Sequence, residues 1–122
     1  MATNVPDAWM PHYGAYCGYL HRLPCDRCGA AHVEVAHLDA VAGKRLRGQS
    51  GVPRMRPRQG AALFCAVPLC AACHREAPDS YHNVGQERFA EAAFGSEAAL
   101  FSLAIRHQLT FFLGALCASS PT

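Results

Sequence analysis

CDRC at residues 25–28 and CAAC at residues 70–73 are the two segments that decide how this chain folds. Each is a Cys-x-x-Cys turn, which presents two sulfurs to one ion. Because structural zinc is held by four ligands at tetrahedral corners, the two turns together predict one zinc site. Its expected ligands are Cys25, Cys28, Cys70 and Cys73. The alternatives are a redox-active pair or buried free cysteines.

Cysteine usage in the rest of the chain favours a metal site in a reducing compartment. The 122 residues include seven cysteines, an odd number that fits poorly with a disulfide framework. Cys17, Cys65 and Cys117 have no partner at metal-binding spacing, so we expect them to be core residues. No secretory signal pattern opens the chain. We therefore expect a cytoplasmic protein with a single domain.

The longest apolar segment, residues 98–117, is interrupted near its middle by the polar residues 106–108. Three polar groups at that position would be costly in lipid, so we do not expect a membrane span. With Ser96 as its N-cap, the segment predicts a last helix from Glu97 to about Leu116. Its apolar residues are spread over much of the circumference, which favours deep packing or a homodimer contact through this helix.

The pattern of apolar residues predicts an α+β fold in three parts. We expect an irregular arm over residues 1–14, a zinc-bound domain over 15–95, and the apolar C-terminal helix within 96–122. In the domain, alternation with β-branched residues predicts strands, and Pro, Gly and Ser mark the helix ends. The expected order is a helix at 15–23, a strand at 33–38, a loop at 43–60, a strand at 63–69, a helical turn at 70–76, and a helical stretch from Ser80 to Gly95.

A run of positive charge lies between the two strands. The net charge of the chain is only +2, but residues 40–74 contain no Asp or Glu. A single-sign segment rich in Gly and Pro is typical of a loop that contacts a polyanion, although it can also be a solvated loop. The predicted nucleic-acid contacts are Lys44, Arg45, Arg47, Arg54, Arg56 and Arg58.

Three histidines lie close to the predicted zinc site in sequence. His37 ends the first strand, His74 directly follows the last zinc cysteine, and His82 comes after the break at Pro78. If one ion joins the two Cys-x-x-Cys turns, the end of the strand and the start of the helical turn are brought side by side. We therefore expect His37 and His74 to face one small cleft.

With these pieces in order, the chain resembles the HNH (ββα-metal) endonuclease superfamily. The motifs are LPC-x2-CG, E-x-A-H, VPLC-x2-CH and YH-x2-G-x3-F, within about residues 15–95. They are most similar to the phage- and prophage-associated branch related to the recombination-enhancement nuclease Ref. The resemblance implies a small ββα-metal core with a structural zinc site and flanking helices, and a metal-dependent enzyme that hydrolyses phosphodiester bonds in DNA.

The resemblance also implies roles for single residues. His37 would be the general base, since an imidazole with a pKa near 6.5 can take a proton from water. His74, with His82 as the second choice, would hold a divalent catalytic ion (Mg²⁺, Mn²⁺, Ni²⁺ or Zn²⁺), which stabilises charge on the phosphate.

This sequence departs from the family at the position before the base. Most members have a metal-binding Asp or His there, and here it is Ala36. Glu34, Asp39 and His82 are the candidate replacements; on a regular strand Asp39 shares the side of His37, whereas Glu34 points away. The family's central Asn is not evident either. Two alternatives therefore stay open: a non-catalytic zinc module that binds nucleic acid, and a zinc-stabilised protein-interaction module.

Overall fold

The computed structural model describes residues 10–38 and 64–119. The predictions made for residues 1–9 and for the basic loop lie outside the described residues. The same is true of the candidate ligand Asp39. The basic loop contains the six predicted nucleic-acid contacts, Lys44, Arg45, Arg47, Arg54, Arg56 and Arg58.

The described residues form a mixed α+β fold, as predicted. Its two strands are β1 and β2, and its regular helices are α1 to α4, with one π-helical turn directly after β2. In chain order the elements are α1 (Met10–His21), β1 (Glu34–His37), β2 (Ala66–Leu69), the π turn (Ala72–Glu76), α2 (Tyr81–Val84), α3 (Gln86–Phe94) and α4 (Glu97–Ser119).

The first helix begins earlier than the sequence indicated. Residues 10–14 were expected to belong to an irregular arm, but α1 already starts at Met10. Pro11 falls in the first turn, where a helix needs no backbone N–H, so it does not oppose this start. The extra turn carries Tyr13, whose ring packs edge-on against Phe64. Contacts with a distant segment therefore extend the helix beyond what its own periodicity indicated.

The two strands form an antiparallel hairpin with Glu34 opposite Leu69 and His37 opposite Ala66. All four residues of β2 are buried, because elements cover both faces of the sheet. Pro68 is accommodated since each strand of a two-stranded sheet has an edge that needs no donor. The carbonyl of Pro68 instead accepts a hydrogen bond of 3.0 Å from the backbone N–H of Asp26, which joins the first Cys-x-x-Cys turn to β2.

Side chains alternate between two apolar clusters across the hairpin. The main core takes Ala36 and Leu38 of the first strand segment, together with buried residues of the π turn, α2, α3 and α4. A second cluster contains Tyr16 and Leu20 of α1, with Val35 packed against it. The direction in which each residue of β1 points therefore determines which cluster it joins.

The helical stretch expected from Ser80 to Gly95 is divided into α2 and α3. Ser80 is the predicted N-cap, and its hydroxyl accepts from the backbone N–H of Asn83 at 3.3 Å. The division occurs at Gly85, whose φ of 92° and ψ of 160° lie in a region open to glycine almost alone. Gly95, with φ of 95°, ends α3 as expected.

The last helix, α4, begins at Glu97 after the predicted N-cap Ser96, whose hydroxyl accepts from the N–H of Ala99 at 3.1 Å. In the part of the chain that the structure describes, α4 is the one helix long and apolar enough to cross a membrane (mean hydropathy 1.4 over residues 97–117). A single helix that meets this test is weak grounds for a membrane span.

Candidate metal centres

The four cysteines of the two Cys-x-x-Cys turns converge, as the spacing predicts. Their sulfur atoms all lie within 4.8 Å of one another, and the Sγ atoms of Cys28 and Cys70 are 3.5 Å apart. Cys25, Cys70 and Cys73 are buried and Cys28 is exposed. Within the described residues this is the one group of three or more His, Cys, Asp or Glu side chains with ligand atoms so close together. The cluster is compatible with a structural zinc ion.

Backbone hydrogen bonds shape each turn around the sulfurs. In the first turn, the N–H of Gly29 donates to the carbonyl of Cys25 at 2.9 Å, and Gly29 takes the positive φ of 81° that lets the chain reverse. In the second turn, the N–H of Cys73 points at the sulfur of Cys70 at 3.5 Å. N–H groups directed at sulfur favour the thiolate, which is the form that binds metal.

The thiols of the cluster differ in how readily they ionise. Burial opposes ionisation of Cys25, but backbone N–H groups, that of Cys70 first, outweigh it and lower the pKa to about 7. Burial and the neighbouring thiols, Cys70 first, raise the pKa of Cys73 to about 12. A bound dication supplies the positive charge that deprotonates all four sulfurs together. The metal-free cluster therefore binds protons that zinc must displace.

A second group, the histidine pair, is formed by His74 and His82 beside the four-cysteine cluster. Their Nε2 atoms lie 3.1 Å apart and their ring centroids 4.6 Å apart. The Nδ1–H of His74 donates to the carboxylate of Glu34 at 2.7 Å. Since β1 supplies Glu34 and the π turn supplies His74, the hairpin and the second turn meet at this point.

Arg75 holds the carboxylate of Glu34 from its other side. Its Nη2 and Nε atoms donate to the two carboxylate oxygens at 2.9 and 3.1 Å. This guanidinium first, and His74 second, lower the pKa of Glu34 to about 2, so the carboxylate is ionised near neutral pH. Burial first, and the charge of His74 second, lower the pKa of His82. Both effects favour a neutral His82 whose nitrogen can bind a cation.

The structure places the ring of His37 on the other side of β1. Its Nε2 lies 2.8 Å from the hydroxyl of Tyr13 in α1. The backbone carbonyl of His37 accepts a hydrogen bond of 2.9 Å from Tyr81, whose ring lies 6.2 Å from that of His74. The described contacts therefore bring His74, His82 and Glu34 together. Tyr81 contacts the backbone carbonyl of His37, whereas the ring of His37 lies against α1, so the expectation that His37 and His74 face one small cleft stays a prediction.

Sequence reasoning missed Tyr13, Arg75 and Tyr81. Arg75 directly follows His74, and a basic residue beside a predicted ligand is a signal that could have been used. Tyr13 gave no such signal, since it lies in the segment taken as an arm. Two histidines outside the site also have partners: the rings of His21 and His107 bond the carbonyl of Val33 at 3.0 Å and the carboxylate of Asp26 at 2.8 Å.

Among known proteins, the chain matches no family model, no curated protein and no solved structure. The resemblance to HNH nucleases therefore rests on the motifs quoted above and stays a prediction. What the fold adds is the convergence of those motifs in one region of the molecule.

Proposed function

We propose that this chain is a metal-dependent endonuclease of the HNH type that hydrolyses phosphodiester bonds in DNA. The observation that carries the proposal is the distance of 3.1 Å between the Nε2 atoms of His74 and His82. With metal–nitrogen bonds of about 2.0–2.1 Å, two adjacent ligands of one ion lie roughly 3.0–3.4 Å apart. The histidine pair therefore has the spacing of two ligands on a single divalent cation.

Glu34 supports the same assignment as an outer carboxylate. Metal-binding histidines commonly donate their second ring N–H to a carboxylate, which fixes the tautomer and makes the ligand more basic. Glu34 accepts from Nδ1 of His74 at 2.7 Å, which leaves the Nε2 lone pair for an ion. Glu34 would therefore orient a ligand, two residues before Ala36 on the same side of β1. Asp39 stays a candidate for a further ligand.

In the proposed reaction, His74 and His82 would hold a divalent ion, which would supply stabilisation of the charge on the phosphate and on the leaving oxygen. His37 takes the proton of the attacking water. Nε2 of His37 lies 2.8 Å from the hydroxyl of Tyr13, which orients the ring. The basic residues 44–58 would hold neighbouring phosphates without reading base sequence. The free thiols of the chain accord with a reducing cytoplasm, the predicted location.

A cleavage assay tests the proposal. Purified protein is incubated with plasmid and Mg²⁺, Mn²⁺, Ni²⁺ or Zn²⁺, and supercoiled, nicked and linear forms are quantified. General acid–base catalysis contributes about 10²–10⁴-fold, so His37→Ala should lower the rate by that factor. His74→Ala should abolish the metal-dependent cleavage. His12→Ala, an exposed change on α1, is the control, and bound zinc and the melting temperature show that each variant is folded.

A non-catalytic zinc module that binds nucleic acid is the second candidate. It is favoured by one observation, the placement of the His37 ring against Tyr13 on the side of β1 away from Glu34. DNA that is bound but left intact in every metal would support this candidate and contradict the nuclease. Absence of DNA binding at low salt would contradict both.

A further inference from the structure

Helix α4 carries a stripe of large apolar side chains on its exposed side. Ile105, Leu109, Leu113 and Leu116 are each more than half exposed, and Phe112 is 39% exposed. These are the large hydrophobic residues that stand out as exposed in the described part of the chain. Scattered apolar residues on a surface are ordinary, whereas five on three turns of one helix form a contiguous patch.

The opposite side of α4 is fixed to the domain. Leu100 and Ala104 are fully buried in the main core. Farther along, His107 bonds the carboxylate of Asp26 at 2.8 Å, and Gln108 donates to the carbonyl of Phe64 at 2.7 Å. At about 100° per residue, the five exposed side chains fall within an arc of roughly 100°. Phe112, at the edge of this arc, also packs against the domain, with ring centroids 6.3 Å from Tyr16 and 5.9 Å from Phe64. The helix is thus anchored on one side and apolar on the other.

The stripe has the spacing of a helix–helix seam. Six exposed positions of α4, called the seam, are separated by four, three, four, three and four residues. The seam contains every stripe residue except Leu113, and its positions are Ala98, Ser102, Ile105, Leu109, Phe112 and Leu116. That alternation is the heptad spacing by which one helix packs against another. The residues are small at the start of the seam and large at its end.

We propose that this stripe is a homodimer interface, in which α4 of one protomer pairs antiparallel with α4 of its partner. None of the six seam positions is charged, so no charge is buried at the centre of the pairing; exposed Arg106 lies beside the seam and stays in contact with water. A two-fold antiparallel pairing sets Ala98 against Leu116, Ser102 against Phe112 and Ile105 against Leu109. Large residues then fill the space left by small ones, as a packed interface requires.

The exposed area of the stripe is close to the minimum for a specific dimer. The exposed areas of the five stripe side chains, added over the two helices, are on the order of 1,000 Å². A specific interface must bury about this area, so the dimer would have to cover the whole stripe. A lipid bilayer suits the stripe less well. Exposed Arg106 lies at mid-helix, and His107 and Gln108 hold the helix against the domain, so insertion would have to break those bonds.

Sedimentation velocity of the full chain, with zinc and a reductant, tests the proposal. We expect a dimer at micromolar concentration. Leu109→Glu should weaken association roughly a hundredfold or more, because both copies lose a buried leucine and gain a charge. Thr110→Glu places the same charge one residue away, off the seam, and should leave the dimer intact. Bound zinc and the melting temperature identify a variant that fails to fold.

Disulfide trapping tests the direction of pairing, in a Cys117→Ser background with the zinc site loaded. The double variant Ala98→Cys with Leu116→Cys should form a covalent dimer on mild oxidation, and Leu116→Cys alone should not. A monomer at all concentrations would overturn the proposal. So would cross-linking of the Leu116→Cys variant alone, which indicates parallel helices. Retention of a monomer on neutral phosphatidylcholine vesicles would assign the stripe to lipid instead.

Discussion

Cys70→Ser should uncouple the stability of this protein from zinc. Cys70 is buried within the four-sulfur cluster. One zinc ion in this cluster would join Cys28 to Cys70, which are 42 residues apart. Closing a loop of that length removes denatured-state entropy worth about 4 kcal/mol. For a chain of this size, that corresponds to a shift in melting temperature of roughly 15 °C. Serine keeps the size of the side chain but is a poor zinc ligand, so most of this stabilisation should be lost.

The assay compares thermal melts with and without a zinc chelator, alongside zinc content per chain. Wild type should hold one zinc and lose roughly 15 °C on chelation, whereas Cys70→Ser should bind little zinc and melt at nearly the same temperature in both conditions. Cys65→Ser is the matched control, since Cys65 directly precedes β2 and lies outside the cluster. It should respond to the chelator as wild type does. Full zinc content in Cys70→Ser, with an unchanged chelator response, would refute the four-thiolate site.

Three further predictions test other parts of the structure. Gly85→Ala should destabilise the fold by about 1–3 kcal/mol in urea unfolding, because φ of 92° suits glycine alone, whereas Gly14→Ala, inside α1, should stabilise it slightly. His107→Ala should cost about 1–3 kcal/mol by removing the partner of a half-buried carboxylate, and an unchanged urea midpoint would contradict this. Arg75 lowers the pKa of Glu34 to about 2. The ionised carboxylate should therefore stabilise the folded state above pH 4.5, and this stabilisation should be lost as the pH falls toward 2. Glu34→Gln should flatten that part of the acid-denaturation curve, measured without metal.

Local features of the fold could be predicted from the sequence because short segments determine them. The two Cys-x-x-Cys turns need only four residues each, and their convergence follows once one ion is assumed. Ser80 and Ser96 act as helix N-caps for the same reason, since a cap depends on its own hydroxyl and the next three residues. Gly95 ends α3 where the pattern places it.

The orientation of the predicted base could not be derived in this way. Whether His37 faces His74 or α1 depends on which side of β1 is covered by which helix, and that is a property of the assembled domain. The partner of the ring is Tyr13, which lies 24 residues away in a segment without clear periodicity. The break at Gly85 was likewise hidden, because a glycine inside an apolar helical pattern is compatible with either one helix or two.

The two candidate metal centres are connected through the backbone of the second turn. The N–H of His74 donates to the carbonyl of Cys70 at 2.8 Å, and Cys73 directly precedes His74. An ion held by the four sulfurs therefore fixes the position of the His74 backbone, and with it the distance to His82. The dependence runs in one direction, because His74→Ala removes no sulfur ligand. Loss of zinc should disturb both centres, whereas loss of the histidine pair should leave the zinc centre intact, so zinc content in His74→Ala distinguishes a structural ion from a catalytic one.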